Sequence, residues 1–393
     1  MKRLTVKLAF LFQVFLAHGQ DTIQLGTVAG PFQAVSGRVY VGGIITGFID
    51  LEMVPIGNNL WESQPISQPA VVKVGGEYRL PGRTPNTGYW RVSTNHAANS
   101  FTSATTLPAV TGGEVVVRKN EWIIDRGIIS TQSGNRVTYA NISPDQHQVN
   151  WGFFLQNHRA TLDLQGEWSY TDGRLLVYWP GGTDPVVRAS QHDNLITGNG
   201  ATFVGTVIEG AGVFAARGTN RYINCVFRDN GSFGVYASNA AGVVVEGSSF
   251  TNTGNVAVML QSCPGPVVRN NTIRNTGIEG QGTGGGVTAL EYSAVSLSGC
   301  SNARVEGNTI VRTGYNAVHF LFAGGARSGP HRNQQRCSQW DCRGRFKKHR
   351  RQPGLRHLHG RQRRQHRNFR QHSGQLCRLW HLHSQCQQPH AAA

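Results

Sequence analysis

Two similar hexapeptides decide the fold: Val245-Glu246-Gly247-Ser248-Ser249-Phe250 and Val305-Glu306-Gly307-Asn308-Thr309-Ile310. Each ends on a large apolar anchor that is followed four positions later by glycine, and the same pattern occurs elsewhere in the chain. The anchors are Ile208, Phe227, Phe250, Ile273 and Ile310. From Phe227 onward their spacings are 23, 23 and 37 residues, and the last is one repeat plus a 14-residue insertion.

Residues around the anchors also align between repeats. Valine stands four positions after the glycine at Val235, Val258, Val295 and Val318, once the insertion is skipped. Short β-branched segments with glycine corners, repeated about every two dozen residues, are typical of a parallel β-solenoid. Stacking of coils at the ~4.8 Å strand spacing would bury the valine columns. We therefore predict an all-β solenoid over residues 195–326.

The chain before the repeats reads as β-rich and irregular. Valine-rich segments separated by Pro, Asn and Gly clusters predict short strands over residues 20–150. We interpret 20–150 as an N-terminal cap or a set of irregular first coils. Within residues 151–194, Asp172-Gly173 predicts a hairpin, because this dipeptide readily adopts the positive φ angles of a tight turn.

Motifs in this upstream part suggest a family. They are Arg83-Thr84-Pro85-Asn86, residues 151–157 (Trp-Gly-Phe-Phe-Leu-Gln-Asn), Leu162-Asp163, Gly166-Glu167-Trp168 and residues 174–180 (Arg-Leu-Leu-Val-Tyr-Trp-Pro). Together with the repeats, this order resembles the secreted right-handed parallel β-helix proteins that include many polysaccharide lyases and glycoside hydrolases. One departure is Gln165, where proline usually precedes Gly-Glu-Trp. The resemblance implies a right-handed, pectate-lyase-like β-helix and an activity on polysaccharide.

The N-terminus predicts export. Lys2 and Arg3 precede the apolar stretch 8–17, and Ala17-His18-Gly19 resembles a cleavage site. These are the parts of a secretory signal, and the apolar stretch is too short to span a bilayer comfortably. We expect a signal peptide at 1–19, no membrane span, and a secreted or periplasmic protein.

The formal charge of +17 is distributed very unevenly. Residues 327–393 contain 16 Lys and Arg residues and one acidic residue, whereas residues 20–326 contain 19 basic and 20 acidic residues. The basic charge therefore belongs to the tail. The tail has few aromatic residues for base stacking and no folded module, so we expect no nucleic-acid partner.

The amino-acid composition of the tail differs from that of the solenoid. Residues 327–393 contain no Val, Ile, Thr, Tyr or Glu, but they hold nine of the fifteen histidines. A one-base shift of the reading frame would convert its abundant His, Gln and Arg codons into Ile, Thr, Asn, Ser, Ala, Gly and Val codons. We interpret 327–393 as disordered and out of frame after a frameshift near 323–330. A basic disordered arm and a metal-binding His/Cys tract are the alternatives, and the nucleotide sequence of codons 320–335 would decide.

The insertion offers the best candidate for a functional site. It lies between Gly277 and Ala294, includes Glu279, Glu291 and Tyr292, and would project from one face of the solenoid. Beside it the repeat predicts an outward column of Tyr236, Met259, Ser296 and His319. The candidate catalytic residues are Glu279, Glu291 and His319, and the candidate substrate-binding residues are Tyr236, Tyr292 and Met259.

Three functions remain open for this face. Glycosidic hydrolysis needs two carboxyl groups, whereas a lyase needs a base and a cation that stabilises the anion formed from the substrate carboxylate. A non-catalytic protein would bind the glycan or serve as a surface structural element, and the insertion would then be a glycine-rich loop with solvated glutamates. His192-Asp193 is a lesser candidate. We expect a monomer whose partner is a polysaccharide, and no cofactor, unless the protein is a lyase that uses Ca²⁺.

Other columns predict structural roles. Asn271 and Asn308 share an inward column and should form an asparagine ladder. Glu246, Arg269 and Glu306 alternate in sign on an outward face and should form a solvated charge ladder. Cys263 and Cys300 should stack on neighbouring coils. The sequence allows either a disulfide between them or two buried thiols.

Overall fold

The computed structural model describes residues 21–119, 123–141, 143–277, 291–321, 327–328 and 332–334. Contacts divide the chain into residues 1–338 and 339–393, and every described residue belongs to the first unit. Among the described residues, no helix is long and apolar enough to cross a membrane.

The described part of the chain begins with five short strands, and a long excursion of antiparallel strands follows them. The first five are β1 (Thr22–Gln24), β2 (Thr27–Ala29), β3 (Phe32–Gln33), β4 (Val39–Val41) and β5 (Ile44–Thr46). The excursion contains β6 (Phe48–Leu51), β7 (Met53–Gly57), β8 (Leu60–Ser63), β9 (Val72–Val74), β10 (Glu77–Arg79), β11 (Arg83–Thr84), β12 (Trp90–Ala97), β13 (Ser100–Ser103), β14 (Glu114–Arg118), β15 (Ile124–Ser133), β16 (Arg136–Tyr139), β17 (Gly152–Gln156), a 3₁₀ turn (Arg159–Thr161), β18 (Trp168–Thr171), β19 (Arg174–Tyr178) and β20 (Val187–Ser190).

The remaining strands run in the regular order of a solenoid. They are β21 (His192–Thr197), β22 (Thr202–Val204), β23 (Val207–Glu209), β24 (Ala211–Arg217), β25 (Arg221–Ile223), β26 (Val226–Asn230), β27 (Phe233–Ser238), β28 (Val244–Glu246), β29 (Ser249–Thr253), β30 (Val256–Gln261), β31 (Val267–Arg269), β32 (Thr272–Thr276), β33 (Val295–Ser298), β34 (Arg304–Glu306), β35 (Thr309–Thr313), β36 (Val318–Leu321), β37 (Arg327–Ser328) and β38 (Arg332–Gln334).

Three parallel sheets form the solenoid, which confirms the predicted right-handed parallel β-helix. Sheet A has the order β1-β4-β22-β25-β28-β31-β34-β37, sheet B the order β2-β5-β23-β26-β29-β32-β35-β38, and sheet C the order β3-β21-β24-β27-β30-β33-β36. The anchors pair as the repeat predicts, and Ile273 lies beside Ile310 across the skipped insertion. The corner between sheets A and B has a left-handed backbone, which explains why glycine or asparagine stands there: Gly205, Asn224, Gly247, Asn270 and Gly307.

The solenoid starts earlier than the repeat pattern indicates. Strands β1 to β5, at residues 22–46, pair in the same three sheets as the later coils. Ile45 lies beside the anchor Ile208, although 163 residues separate the two positions. The sequence boundary at 195 falls inside β21, so part of the predicted cap region consists of solenoid coils.

Buried polar columns hold the coils in register, and they include the predicted asparagine ladder. The Asn271 amide nitrogen donates to Asn308 Oδ1 at 2.9 Å, and the Ser248 backbone N–H donates to Asn271 Oδ1 at 2.8 Å. Cys263 and Cys300 do lie on adjacent coils, and both are free thiols. The Cys263 backbone N–H donates to Cys300 Sγ at 3.4 Å, and the hydrogen bond between the two thiols lowers the pKa of Cys263.

The predicted charge ladder is also present on the outer face of sheet A. Arg269 lies in register with Glu246 on one side and Glu306 on the other. Its guanidinium is 2.9 Å from the Glu246 carboxylate, and both side chains are partly exposed. An exposed pair of this kind contributes only ~0–1 kcal/mol.

The antiparallel excursion forms three further sheets around its own apolar cores. Their strand orders are β10-β9-β20-β6, β18-β19-β8-β7 and β11-β17-β12-β13-β16-β15-β14. The predicted hairpin is confirmed, since β18 and β19 pair around Asp172 and Gly173, whose φ angles are 52° and 79°.

The motifs that carry the family resemblance have structural roles in this part of the chain. Glu167 of the Gly-Glu-Trp motif accepts hydrogen bonds at 2.8 Å from the backbone N–H groups of Asp163 and Leu164. Gln156 and Asn157 donate to the buried carboxylate of Glu114. These hydrogen bonds therefore fix the connection between the excursion's sheets.

One polar cluster in the excursion is completely buried. Lys119 Nζ lies 2.6 Å from Asp125 Oδ2, and both side chains have no exposed surface. The Tyr139 hydroxyl lies 3.3 Å from Asp125 Oδ2 and 3.0 Å from His147 Nε2, and His147 Nδ1 is 2.9 Å from the Ala97 carbonyl oxygen. Burial, and then the nearby Lys119 ammonium, lower the pKa of His147 from 6.5 to about 4.

This shift predicts a loss of stability in mild acid. Above pH 6.5 His147 is neutral in both states, but between pH 6.5 and about 4 only the unfolded chain takes up the proton. The free energy of unfolding should fall by about 3 kcal/mol across this range as a result. Urea denaturation at several pH values would measure this change in the free energy of unfolding. The control is His147→Asn, whose free energy of unfolding should lack this contribution to the pH dependence. Parallel pH profiles for the two proteins would contradict the assignment.

Candidate functional site

The outer face of sheet C is the surface on which the predicted column lies. Along β27, Val235 and Ala237 point into the solenoid core, so Tyr236 between them points outward. The strand register places Tyr236 beside Met259, Met259 beside Ser296, and Ser296 beside His319. The four residues therefore stand in one column, as the repeat predicts, and Arg217 on β24 extends the column by one coil.

A second outward column adds two aromatic rings that the sequence analysis missed. Phe214 lies beside Phe233 in the register, and their rings stack with centroids 5.1 Å apart and an angle of 15° between the planes. The Tyr236 ring is 4.9 Å from that of Phe214 and 5.9 Å from that of Phe233. We call these three residues the aromatic platform. All three are partly exposed.

Neighbouring polar groups hold the aromatic platform in place. The Tyr236 hydroxyl donates to Gln261 Oε1 at 2.9 Å on the adjacent strand β30. The Arg217 guanidinium lies 5.3 Å from the centroid of the Phe214 ring, a distance at which a cation is attracted to the ring face. Both contacts reduce the freedom of the rings, so less ordering is needed when a ligand stacks on them.

Exposure changes along the column of Tyr236. Arg217 is exposed, Tyr236 and His319 are partly exposed, and between them Met259 is 6% exposed and Ser296 is 1% exposed. Of the predicted substrate-binding residues in this column, Tyr236 therefore offers a ring to a ligand, whereas Met259 offers almost no surface.

The insertion joins sheet C next to this column, at Tyr292. The Tyr292 backbone N–H donates to Asn255 Oδ1, and its carbonyl oxygen accepts from Tyr315, both at 2.8 Å. Gly277 packs against it so closely that a Cβ atom there would lie 2.7 Å from Tyr292 Cα. Glu291 precedes Tyr292 and is partly exposed, while the predicted catalytic residue Glu279 lies outside the described residues.

The carboxylates of the described face are too far apart to act together in glycoside hydrolysis. Within the strands of sheet C that the structure describes, Asp193 on β21 is the one carboxylate, and Glu291 stands just before β33. Four strand spacings separate β21 from β33, about 19 Å. A hydrolytic pair is separated by about 5 to 9.5 Å. The lesser candidate pair also has packing roles, because the His192 ring lies against Gly30 and the Asp193 carboxylate against Gly212.

A second charged cluster, which the sequence did not reveal, lies where the excursion meets the solenoid. Lys73 Nζ is 2.7 Å from Asp229 Oδ2 and 3.4 Å from Glu209 Oε2, and Arg228 Nε is 2.7 Å from Glu209 Oε2. Burial alone would raise the pKa of Glu209, but the two cations outweigh it and the pKa is lowered. Glu209 therefore stays ionised and paired, which suits attachment of β9 to the solenoid better than proton donation.

No metal centre is evident in the part of the chain that the structure describes. Within it, no group of three or more His, Cys, Asp or Glu side chains is arranged to hold an ion.

The fold and this face define the class: a right-handed parallel β-helix with aromatic side chains on one outer sheet. The family model for a right-handed β-helix region matches residues 181–328. No curated protein matches the chain in sequence.

Two solved structures were compared with this chain. One described as a glycoside hydrolase is 14% identical, with a TM-score of 0.60 over 84% of this chain and 83% of that one. The gp54 tailspike of Acinetobacter baumannii bacteriophage AP22, solved with a capsular saccharide, is 11% identical, with a TM-score of 0.22 over 84% of this chain and 50% of that one. The first likeness establishes the fold alone, and the second supports no conclusion about this chain.

Proposed function

We propose that the protein binds a polysaccharide on the outer face of sheet C. The observation that carries the proposal is the aromatic platform, formed by Phe214, Phe233 and Tyr236 outside the solenoid core. Pyranose rings present C–H faces that pack on aromatic rings, while their hydroxyl groups can bond to flanking polar side chains such as Gln261. A secreted location, as the N-terminal pattern predicts, and a monomeric state are parts of the same proposal.

Removal of one platform ring should weaken glycan binding. Phe233→Ala removes one of the two stacked rings. We expect it to raise the Kd by roughly tenfold, equivalent to about 1–2 kcal/mol of binding free energy. Affinity electrophoresis against a panel of soluble polysaccharides would identify a ligand, and titration calorimetry would give the Kd. Phe233→Tyr, which keeps the ring, should retain most of the affinity. Equal binding by wild type and Phe233→Ala would contradict the platform as the site.

Cleavage of the bound polysaccharide is the second candidate function. It is favoured by the position of Glu291, Tyr292 and His319, which all lie on or beside the last two strands of sheet C. In this scheme Glu279 and Glu291 supply carboxyl groups and His319 moves a proton, with Ca²⁺ involved only if the reaction is a lyase elimination.

Turnover would separate the two candidates. Hydrolysis releases reducing ends, whereas elimination yields an unsaturated product that absorbs ultraviolet light. If either is observed, Glu279→Gln and Glu291→Gln should abolish it, and Glu306→Gln on the outer face of sheet A serves as the matched control. Retention on a glycan gel without any turnover would leave binding as the function.

A further inference from the structure

The outer face of sheet C carries very little charge compared with the other two sheets. Its seven strands contain one carboxylate, Asp193, and one permanent cation, Arg217, with His192 and His319 as titratable groups. The turns that follow β24, β27, β30 and β33, at residues 218–220, 239–243, 262–266 and 299–303, contain no charged residue.

Charged side chains concentrate on the other faces of the solenoid. Sheets A and B carry the following charged residues on their strands from β25 to β35: Arg221, Arg228, Asp229, Glu246, Arg269, Arg274, Arg304, Glu306 and Arg312. Because all three sheets are built from the same coils, the low charge of sheet C belongs to that face and does not reflect the composition of the repeat.

The acidic groups beside the face outnumber its cations. Among the described residues, Asp193 lies on β21 and Glu291 stands just before β33, whereas Arg217 is the one permanent cation on the strands of sheet C. The one cation, Arg217, already lies over the Phe214 ring. A polyuronate or sulfated glycan needs several Arg or Lys side chains to bind its anionic groups, and here it would meet net repulsion.

We propose that the glycan recognised by the aromatic platform is an uncharged polysaccharide. This inference rests on the proposed function and specifies its ligand class. An uncharged pyranose loses no ionic hydration when it stacks on Phe214, Phe233 and Tyr236, so the rings supply most of the favourable free energy. Neutral amide and hydroxyl groups along the face, such as Gln261 and Ser298, match hydroxyl groups without selecting for charge.

The experiment compares uncharged and anionic polysaccharides on the full chain. Soluble glucan, mannan and xylan serve as the uncharged probes, and polygalacturonate and alginate as the anionic probes, each with Ca²⁺ and with a chelator. The quantity measured is the part of the retention that Phe233→Ala removes, because the 16 cations of residues 327–393 also attract polyanions.

We expect Phe233-dependent retention with at least one uncharged polysaccharide. The Kd of the protein for that polysaccharide should change by less than about twofold between about 0.05 and about 0.5 M NaCl. Retention of a polyuronate that Phe233→Ala abolishes, with or without Ca²⁺, would overturn the inference while leaving the platform as the binding site. If Phe233→Ala alters the retention of no glycan in either group, the proposed function itself fails and the inference with it.

Discussion

Replacement of Phe250 by alanine is expected to lower the free energy of unfolding by about 3–5 kcal/mol. The Phe250 ring is completely buried in the solenoid core and stacks on Phe227 with centroids 4.6 Å apart and planes 2° from parallel. The loss of one ring would leave a cavity in the anchor column, which the neighbouring coils above and below cannot fill without moving their own backbones. Chemical denaturation followed by circular dichroism would measure the change.

Phe233→Ala provides a matched control for this prediction. It removes the same side chain from β27, but on the outer face of sheet C, where the ring is partly exposed and lies outside the core. We expect its cost to unfolding to stay below about 1.5 kcal/mol, although it should weaken glycan binding. The two substitutions should therefore separate stability from recognition, and equal losses of stability would show that the platform is part of the core.

Lys119→Met is expected to destabilise the protein by about 3–5 kcal/mol. Lys119 and Asp125 form an ion pair at 2.6 Å with no solvent exposure, and Lys119 Nζ also donates to the Ser143 carbonyl oxygen at 2.7 Å. The substitution would leave the Asp125 carboxylate buried opposite an apolar group, and water could not reach it to compensate. Thermal or urea denaturation of the variant would measure the loss.

Two further variants test the reason for this loss. The double variant Lys119→Met with Asp125→Leu removes both charges and should recover much of the stability, because no unpaired charge remains buried. Arg304→Met breaks the exposed pair of Arg304 with Glu306 at 2.6 Å and should cost less than about 1 kcal/mol. A loss for Lys119→Met no larger than that for Arg304→Met would contradict the role of burial.

The repeat could be predicted because its information is local and periodic. A residue that points inward in one coil has a counterpart 19, 23 or 37 residues later, and alternation along each strand separates core from surface. The repeat also relates two residues of the aromatic platform. Phe214 and Phe233 are 19 residues apart, as Ile208 and Phe227 are, so they occupy equivalent positions on neighbouring coils. Strict alternation from the inward-pointing Val235 assigns Phe233 to the core, so the partial exposure of the two rings does not follow from the repeat.

Other features could not be predicted from the sequence because their partners are far apart in the chain. Lys73 meets Glu209, 136 residues away, across the junction of an antiparallel sheet and the solenoid. Ile45 precedes its anchor partner Ile208 by the whole excursion, so no repeat search at a period near 23 would align them. The positions of the candidate catalytic residues in the glycine-rich insertion depend on the conformation of that insertion, which the periodicity of the repeat does not determine.

The two ends of the antiparallel excursion meet in space. The Gln191 backbone N–H donates to the Gly47 carbonyl oxygen at 3.0 Å, and the chain between these two residues builds the antiparallel sheets. A segment whose ends touch can be exchanged, shortened or removed in evolution with little disturbance to its host, as in domain insertion. Residues 48–190 are therefore an insertion within the second coil, between its sheet B strand β5 and its sheet C strand β21, so the excursion can change in length without altering the strand order of sheet C.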